Sequence, residues 1–195
     1  MKNIKYFGWK VNVEKDAHVV WRTNRYCNFA CSYCWPSAHQ NKKDFLDEDT
    51  YLIAIDHIIT QYKNNGFDNI SWSWAGGEVT FNPHYLTILH EIQSYDNVSS
   101  TTSLVTNLSQ SLKWWEKFVQ CTKKFEIVRI NGSWHKEYLV TDKQRELFKE
   151  KLVFLKKCGV STHANCVMLP GELKQMLKLR DFFDLEEIPV SVKPC

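Results

Sequence analysis

The chain has 195 residues, 44% hydrophobic and 14% aromatic, which suits one domain with a substantial core. Lys plus Arg number 25 against 22 Asp plus Glu, and a net charge of +3 is too mild to mark a nucleic acid or an anionic membrane as partner. There is no run of 18 apolar residues, and the N-terminal MKNIKYFGWKVNVEKD lacks the apolar stretch of a signal peptide, so no membrane span and a cytoplasmic location are expected.

Along the chain, residues 1–17 read as an N-terminal extension, and the remainder alternates strand with helix. VVWRTNRY, ending near Tyr26, is rich in strand formers and runs into a loop with three cysteines. Asp49 to Asn64 carries Tyr51, Leu52, Ile55, Ile58, Ile59 and Tyr62 at helical spacing. Asp68 to Ala75 reads as the second strand. Asn82-Pro83 reads as a helix start, a capping side chain followed by proline, with the helix running to about Tyr95. Thr101 to Asn107 is the third strand, and Ser111 to Thr122 a helix. Phe125 to Ser133 is the fourth strand. Thr141-Asp-Lys-Gln144 is a capping box opening a helix that stops at Gly159. Val160 to Leu169 is the fifth strand, Glu172 to Leu185 a helix, and Ile188 to Lys193 the sixth strand.

This alternation predicts an α/β fold with a parallel sheet. The expected form is a partial TIM-type (β/α)6 barrel, one domain over residues 1–195, truncated in or just after the sixth strand. A full eight-stranded barrel needs about 250 residues, and a doubly wound sheet is the competing topology. In parallel barrels the loops after the strands build the active site, and the cysteine loop comes directly after the first strand.

That loop is YCNFACSYCWP, in which Cys27, Cys31 and Cys34 are three of seven cysteines. An odd count in a chain without a signal peptide argues against a disulfide scaffold and for a metal or cluster site. Thiolates suit zinc and iron–sulfur clusters. A structural zinc site takes four protein ligands, as do ordinary electron-transfer clusters. His39 is a candidate fourth, but its spacing from Cys34 matches no familiar pairing. Three ligands leave a cubane cluster with one open iron position. The second strand ends in SWAGGEVT, where Gly76 and Gly77 permit close backbone approach and Glu78 is suited to accept from an ammonium group. A plain turn is the alternative there.

Taken together, Cys27-x3-Cys31-x2-Cys34 with Tyr33 before the last cysteine, and Ala75-Gly76-Gly77-Glu78-Val79-Thr80, resemble the motifs of radical S-adenosylmethionine (SAM) enzymes. Val79 departs from the family's usual proline. The resemblance implies a [4Fe-4S] cluster held by Cys27, Cys31 and Cys34, and SAM bound at its open iron. It also implies a 5′-deoxyadenosyl radical that abstracts hydrogen from a small-molecule or peptide substrate, with an electron donor of flavodoxin or ferredoxin type. Tyr33 would lie near the cluster or adenine, and Gly76, Gly77 and Glu78 would receive the methionyl ammonium. Asn107, Asn131 and Ser133 match positions that contact ribose or carboxylate, and Arg129 is a bidentate partner for the carboxylate. A non-catalytic iron–sulfur or zinc module, and an inactive fragment of a longer radical SAM protein, are the competing readings.

Strand alternation puts Ser103, Val105, Asn107, Arg129, Asn131, Ser133, Ser161, His163, Asn165, Ser191 and Lys193 on one face. Leu104, Val128, Ile130, Ala164, Cys166, Val190 and Val192 fall on the other. Trp72 and Trp74 are expected to pack in the core. Cys121, Cys158 and Cys166 are expected as buried small hydrophobes, with Cys195 an inert thiol or the first ligand of an auxiliary cluster. His135, in NGSWHKEY, is a candidate for the pocket mouth or a solvated loop residue.

Overall fold

Six strands, the inner four with every second side chain buried along most of their length, assemble into a single parallel sheet. The computed structural model describes residues 4–6, 9–11, 16–34, 43–96 and 98–194. His39 and Cys195 lie outside the described residues. Two short antiparallel strands, β1 (Ile4–Tyr6) and β2 (Trp9–Val11), lie in the extension and carry no strong sequence signal. The main sheet comprises β3 (Asp16–Asn24), β4 (Asn69–Gly76), β5 (Ser99–Thr106), β6 (Ile127–Trp134), β7 (Ser161–Met168) and β8 (Val190–Pro194). Between them run α1 (Glu48–Asn64), α2 (Tyr85–Ile92), α3 (Leu112–Gln120), α4 (Asp142–Lys157) and α5 (Leu173–Asp184).

The strand order is β3-β4-β5-β6-β7-β8, the order of the sequence itself. Each β-α unit therefore adds to the same edge, and the order never reverses as a doubly wound sheet requires. The fold is the open, partial-barrel α/β architecture. Among the described residues no helix is long and apolar enough to cross a membrane.

One face of the sheet is dry. Trp72, Trp74, Leu104, Ile130 and Ala164 are buried against Tyr51, Ile55 and Ile59 of α1, Trp115 and Phe118 of α3, and Phe148, Leu152 and Leu155 of α4. Trp72 and Trp74 stack at 5.9 Å, and the Trp74 indole donates to Thr102 Oγ1 at 2.7 Å. Both are core residues, as their alternation requires. The other face is open. It carries Ser71, Ser73, Thr101, Ser103, Arg129, Asn131, His163 and Asn165, and the register sets Ser103 beside Arg129 and Asn131 beside His163. The predicted alternation holds in phase on all of these strands. At the outer strand Val192 is 37% exposed, a weaker burial than its apolar face implies.

Local signals explain the helix starts. Asp47 accepts from Thr50 N ahead of α1, and Ser111 accepts from Trp114 N ahead of α3. The Thr141–Gln144 capping box is formed in full. At the second crossover the expected start shifts. Asn82 Oδ1 accepts from His84 N at 3.0 Å in an Asx turn, and α2 begins only at Tyr85 after a short 3-10 turn, Val79–Phe81. Among the outlying cysteines Cys166 is buried, Cys121 half-buried and Cys158 exposed. Cys158 corrects the expectation, because it sits at the C-terminal cap of α4, where the chain turns out through Gly159 at φ +85°.

Removing the α4 cap tests this reading of the chain. Thr141→Ala should lower unfolding free energy by about 1 kcal/mol, visible as a lower urea midpoint at unchanged slope.

Candidate functional site

The C-terminal ends of β3, β4, β5 and β6 converge on residues 25–34. β3 delivers the chain into this loop at Asn24. Asn24 is buried, and its side-chain amide donates to the Tyr26 carbonyl at 2.9 Å and to the Glu78 carbonyl at 3.4 Å.

The first contact is with the end of β4. Gly77 N donates to Asn24 O at 3.1 Å, and Glu78 N to Tyr26 O at 2.7 Å. A Cβ on Gly76 would stand 2.1 Å from the Asn24 carbonyl oxygen, and Gly76 has φ +133°. A Cβ on Gly77 would stand 2.1 Å from Tyr26 O and 2.5 Å from Arg25 O. The neighbour whose close approach these glycines permit is thus the chain's own backbone on its way to Cys27.

Glu78 is 2% exposed. Its carboxylate accepts from Thr80 Oγ1 at 2.7 Å, Thr106 Oγ1 at 2.7 Å, Asn107 N at 2.6 Å and Thr80 N at 3.3 Å. All of these donors are neutral. Burial pushes the Glu78 carboxyl above its ordinary pKa, and the hydrogen bonds from Asn107, Thr80 and Thr106 oppose that shift.

The second contact comes from the end of β5. Asn107 Nδ2 donates to Asn28 Oδ1 at 2.9 Å, and Asn28 Nδ2 to Ser109 Oγ at 3.1 Å. Between them Leu108 is buried at φ 56°, a left-handed conformation that is costly for a branched residue. Lys151 Nζ holds its carbonyl at 2.7 Å.

The third contact comes from the segment after β6, His135-Lys-Glu-Tyr138, and no periodicity flags it. Glu137 accepts from Ser32 N at 3.0 Å and from Ser32 Oγ. The Tyr138 hydroxyl accepts from Ala30 N, and its ring stacks on Phe29 at 3.9 Å. Lys136 pairs with Glu172, anchoring the segment to the start of α5. His135 Nδ1 lies 3.3 Å from Cys31 Sγ and 2.9 Å from the Tyr33 hydroxyl. Burial pushes His135 down to about 4, against the pull of Glu137, so its ring is neutral near pH 7. His135 is therefore a partner of the cysteine loop rather than a solvated residue. The legible trace of the segment was its crowding of His, Glu and Tyr just past a strand end.

Cys27, Cys31 and Cys34 are all free thiols. The Cys27 and Cys31 thiols are both raised in pKa, first by burial and in part by the charges of neighbouring cysteines. Cys31 stands at about 11, chiefly from burial and then from Cys27, and Cys27 is raised by burial with smaller contributions from Glu78 and Cys34. Among the described residues no three His, Cys, Asp or Glu side chains converge on one point as ligands of a single metal ion. By donor chemistry three thiols in one loop are the soft ligands that an iron–sulfur cluster takes.

The structure thus brings Cys27, Cys31, Cys34, Tyr33, Gly76, Gly77, Glu78 and Asn107 together. Arg129, Asn131 and Ser133 lie apart from the loop on the open face of β6. Ser133 is nearest the cysteine end, and Arg129 lies about 16 Å below the strand terminus at some 3.3 Å per residue.

The family model of the radical SAM superfamily matches residues 21–183. The chain belongs to the radical SAM superfamily. Solved structures of similar fold include "Native anSMEcpe with bound AdoMet and Cp18Cys peptide", at TM-score 0.69 and 17% identity over 93% of this chain and 51% of that one. Streptococcus suis SuiB bound to its precursor peptide SuiA matches at TM-score 0.66 and 18% identity, over 93% of this chain and 40% of SuiB. SuiB bound to S-adenosylmethionine matches at TM-score 0.61 and 19% identity, over 93% and 39%. This radical SAM chain therefore spans about half or less of the length of those proteins. Among curated proteins none matches it.

The glycine contact yields a sharp test. Gly77→Ala meets backbone oxygens that cannot move aside, so it should undock the cysteine loop. The expected result is a large loss of reconstituted iron with far-UV dichroism nearly unchanged. Gly66→Ala, whose Cβ meets nothing within 4 Å although φ is +81°, should leave iron loading intact.

Proposed function

We propose that the chain is the catalytic core of a radical SAM enzyme acting on a peptide or small molecule. The observation that carries the reading is the loop of three thiols held by three successive strand ends, in a chain that matches the superfamily over residues 21–183. Cys27, Cys31 and Cys34 would hold a [4Fe-4S] cluster. When bound, the cluster and SAM supply reductive cleavage of the sulfonium to a 5′-deoxyadenosyl radical, with the electron coming from a flavodoxin- or ferredoxin-type donor.

This chain's own residues bind, orient and shield. Glu78 is a carboxylate buried among neutral donors, and a cation is its electrostatic complement. The methionyl ammonium of SAM is such a cation, with the Gly76–Gly77 backbone beside it. Asn107, already oriented by Asn28, is poised at the same strand ends, and Asn131 and Ser133 flank the open face for ribose or carboxylate. Arg129 offers a deeper positive charge to a carboxylate of SAM or of the substrate. Tyr33 shields the loop. A peptide substrate is supported by the fold's likeness to proteins whose structures hold peptides.

Anaerobic reconstitution followed by SAM and dithionite should yield 5′-deoxyadenosine, counted by chromatography. Cys31→Ala should abolish both cluster and product. Glu78→Gln should weaken SAM binding about tenfold or more, the worth of one charge-assisted contact. Cleavage that survives Cys31→Ala would refute the ligand assignment. A reconstituted cluster that never cleaves SAM would favour the electron-transfer module.

A further inference from the structure

The histidine that reaches the cysteine loop from the segment after β6 is not among the three proposed thiol ligands, and its placement is specific. Three hydrogen-bonding groups meet at one point: Cys31 Sγ, the Tyr33 hydroxyl and His135 Nδ1. Nδ1 lies 3.3 Å from the sulfur and 2.9 Å from the hydroxyl. Phe29 packs edge-on to the His135 ring at 5.7 Å and the Tyr33 ring lies 6.0 Å away, so the imidazole has little freedom to turn. Its backbone is fixed by a turn in which Tyr138 N and Leu139 N both donate to His135 O at 2.9 Å. The neighbouring residues of the segment grip Ser32, Ala30 and Glu172.

As a metal ligand Cys31 is a thiolate, which accepts hydrogen bonds and donates none. One arrangement then gives the sulfur a donor: His135 Nδ1–H donates to the sulfur, with the Tyr33 oxygen beside the same N–H. In the reverse arrangement Tyr33 donates to an unprotonated Nδ1, and the buried sulfur is left without a donor.

We propose that His135 Nδ1–H donates to the Cys31 sulfur and raises the reduction potential of the cluster it would hold. The contact rests on the reading of Cys31 as a cluster ligand. Its physical basis is that donors to a ligand sulfur draw electron density from it and stabilise the more negative, reduced cluster. His135 is a positioning residue: it acts through the Cys31 sulfur rather than by touching SAM or substrate.

The test is an EPR-monitored redox titration of the anaerobically reconstituted full chain. His135→Phe should shift the midpoint to a more negative potential. His135→Asn, whose amide nitrogen falls near the Nδ1 position, should return it toward that of the unsubstituted chain. Should His135→Phe take up no iron, His135→Leu carries the same test. Midpoints that are unchanged or moved positive overturn the donor contact while leaving the cluster assignment standing. Loss of iron from every His135 variant also overturns it, since His135 would then be a ligand. Failure of the unsubstituted chain to take up any cluster overturns the cluster assignment and the donor contact together.

Discussion

The site depends on a contact between two pieces of backbone. Residues 24–26 and 76–77 approach so closely that neither Gly76 nor Gly77 has room for a Cβ. The hydrogen bonds from Gly77 N and Glu78 N join the end of β4 to the chain entering the cysteine loop. Cys27 comes immediately after, so the position of the first sulfur is inherited from the sheet. A loop of this length without such a brace would lose far more conformational entropy on gathering three sulfurs around a cluster.

The brace is extended by polar groups taken out of water. Glu78 crosses from the end of β4 to Thr106 and Asn107 at the end of β5, and Asn107 in turn reaches Asn28 inside the loop. Leu108 is held in a left-handed conformation whose cost is about 1–3 kcal/mol. Its carbonyl, bonded to Lys151, and its buried side chain are the compensation, and the gain is the aim of Asn107 and Ser109 toward the loop. From the other side the His135–Tyr138 segment closes over residues 29–33. Three consecutive strand ends thus each contribute one grip, which is why a sheet in sequential order suits this chemistry.

The fold was legible from the chain because each signal is local. Alternation in β4 through β7, the capping box at Thr141 and the glycine stop at Gly159 act over a few residues. Asn82 misled by a few residues because its side chain closed an Asx turn instead of capping the helix directly. The three cysteines and Gly76–Glu78 were legible as motifs, but not what they touch. That Gly77 faces Tyr26, and that Glu78 spans to Asn107, are contacts across 51 and 29 positions that no periodicity encodes. The His135–Tyr138 clamp was the least visible, since its meaning lies in partners about a hundred residues earlier.

These braces hold the loop that carries the three thiols, and the proposed chemistry turns on one iron of a bound cluster that no protein side chain would hold. Mössbauer spectroscopy of the 57Fe-reconstituted chain, before and after addition of SAM, addresses it most directly. One iron site in four should change its isomer shift on adding SAM while the other three stay as they were. Four irons indifferent to SAM, each already fully held by the protein, would contradict it.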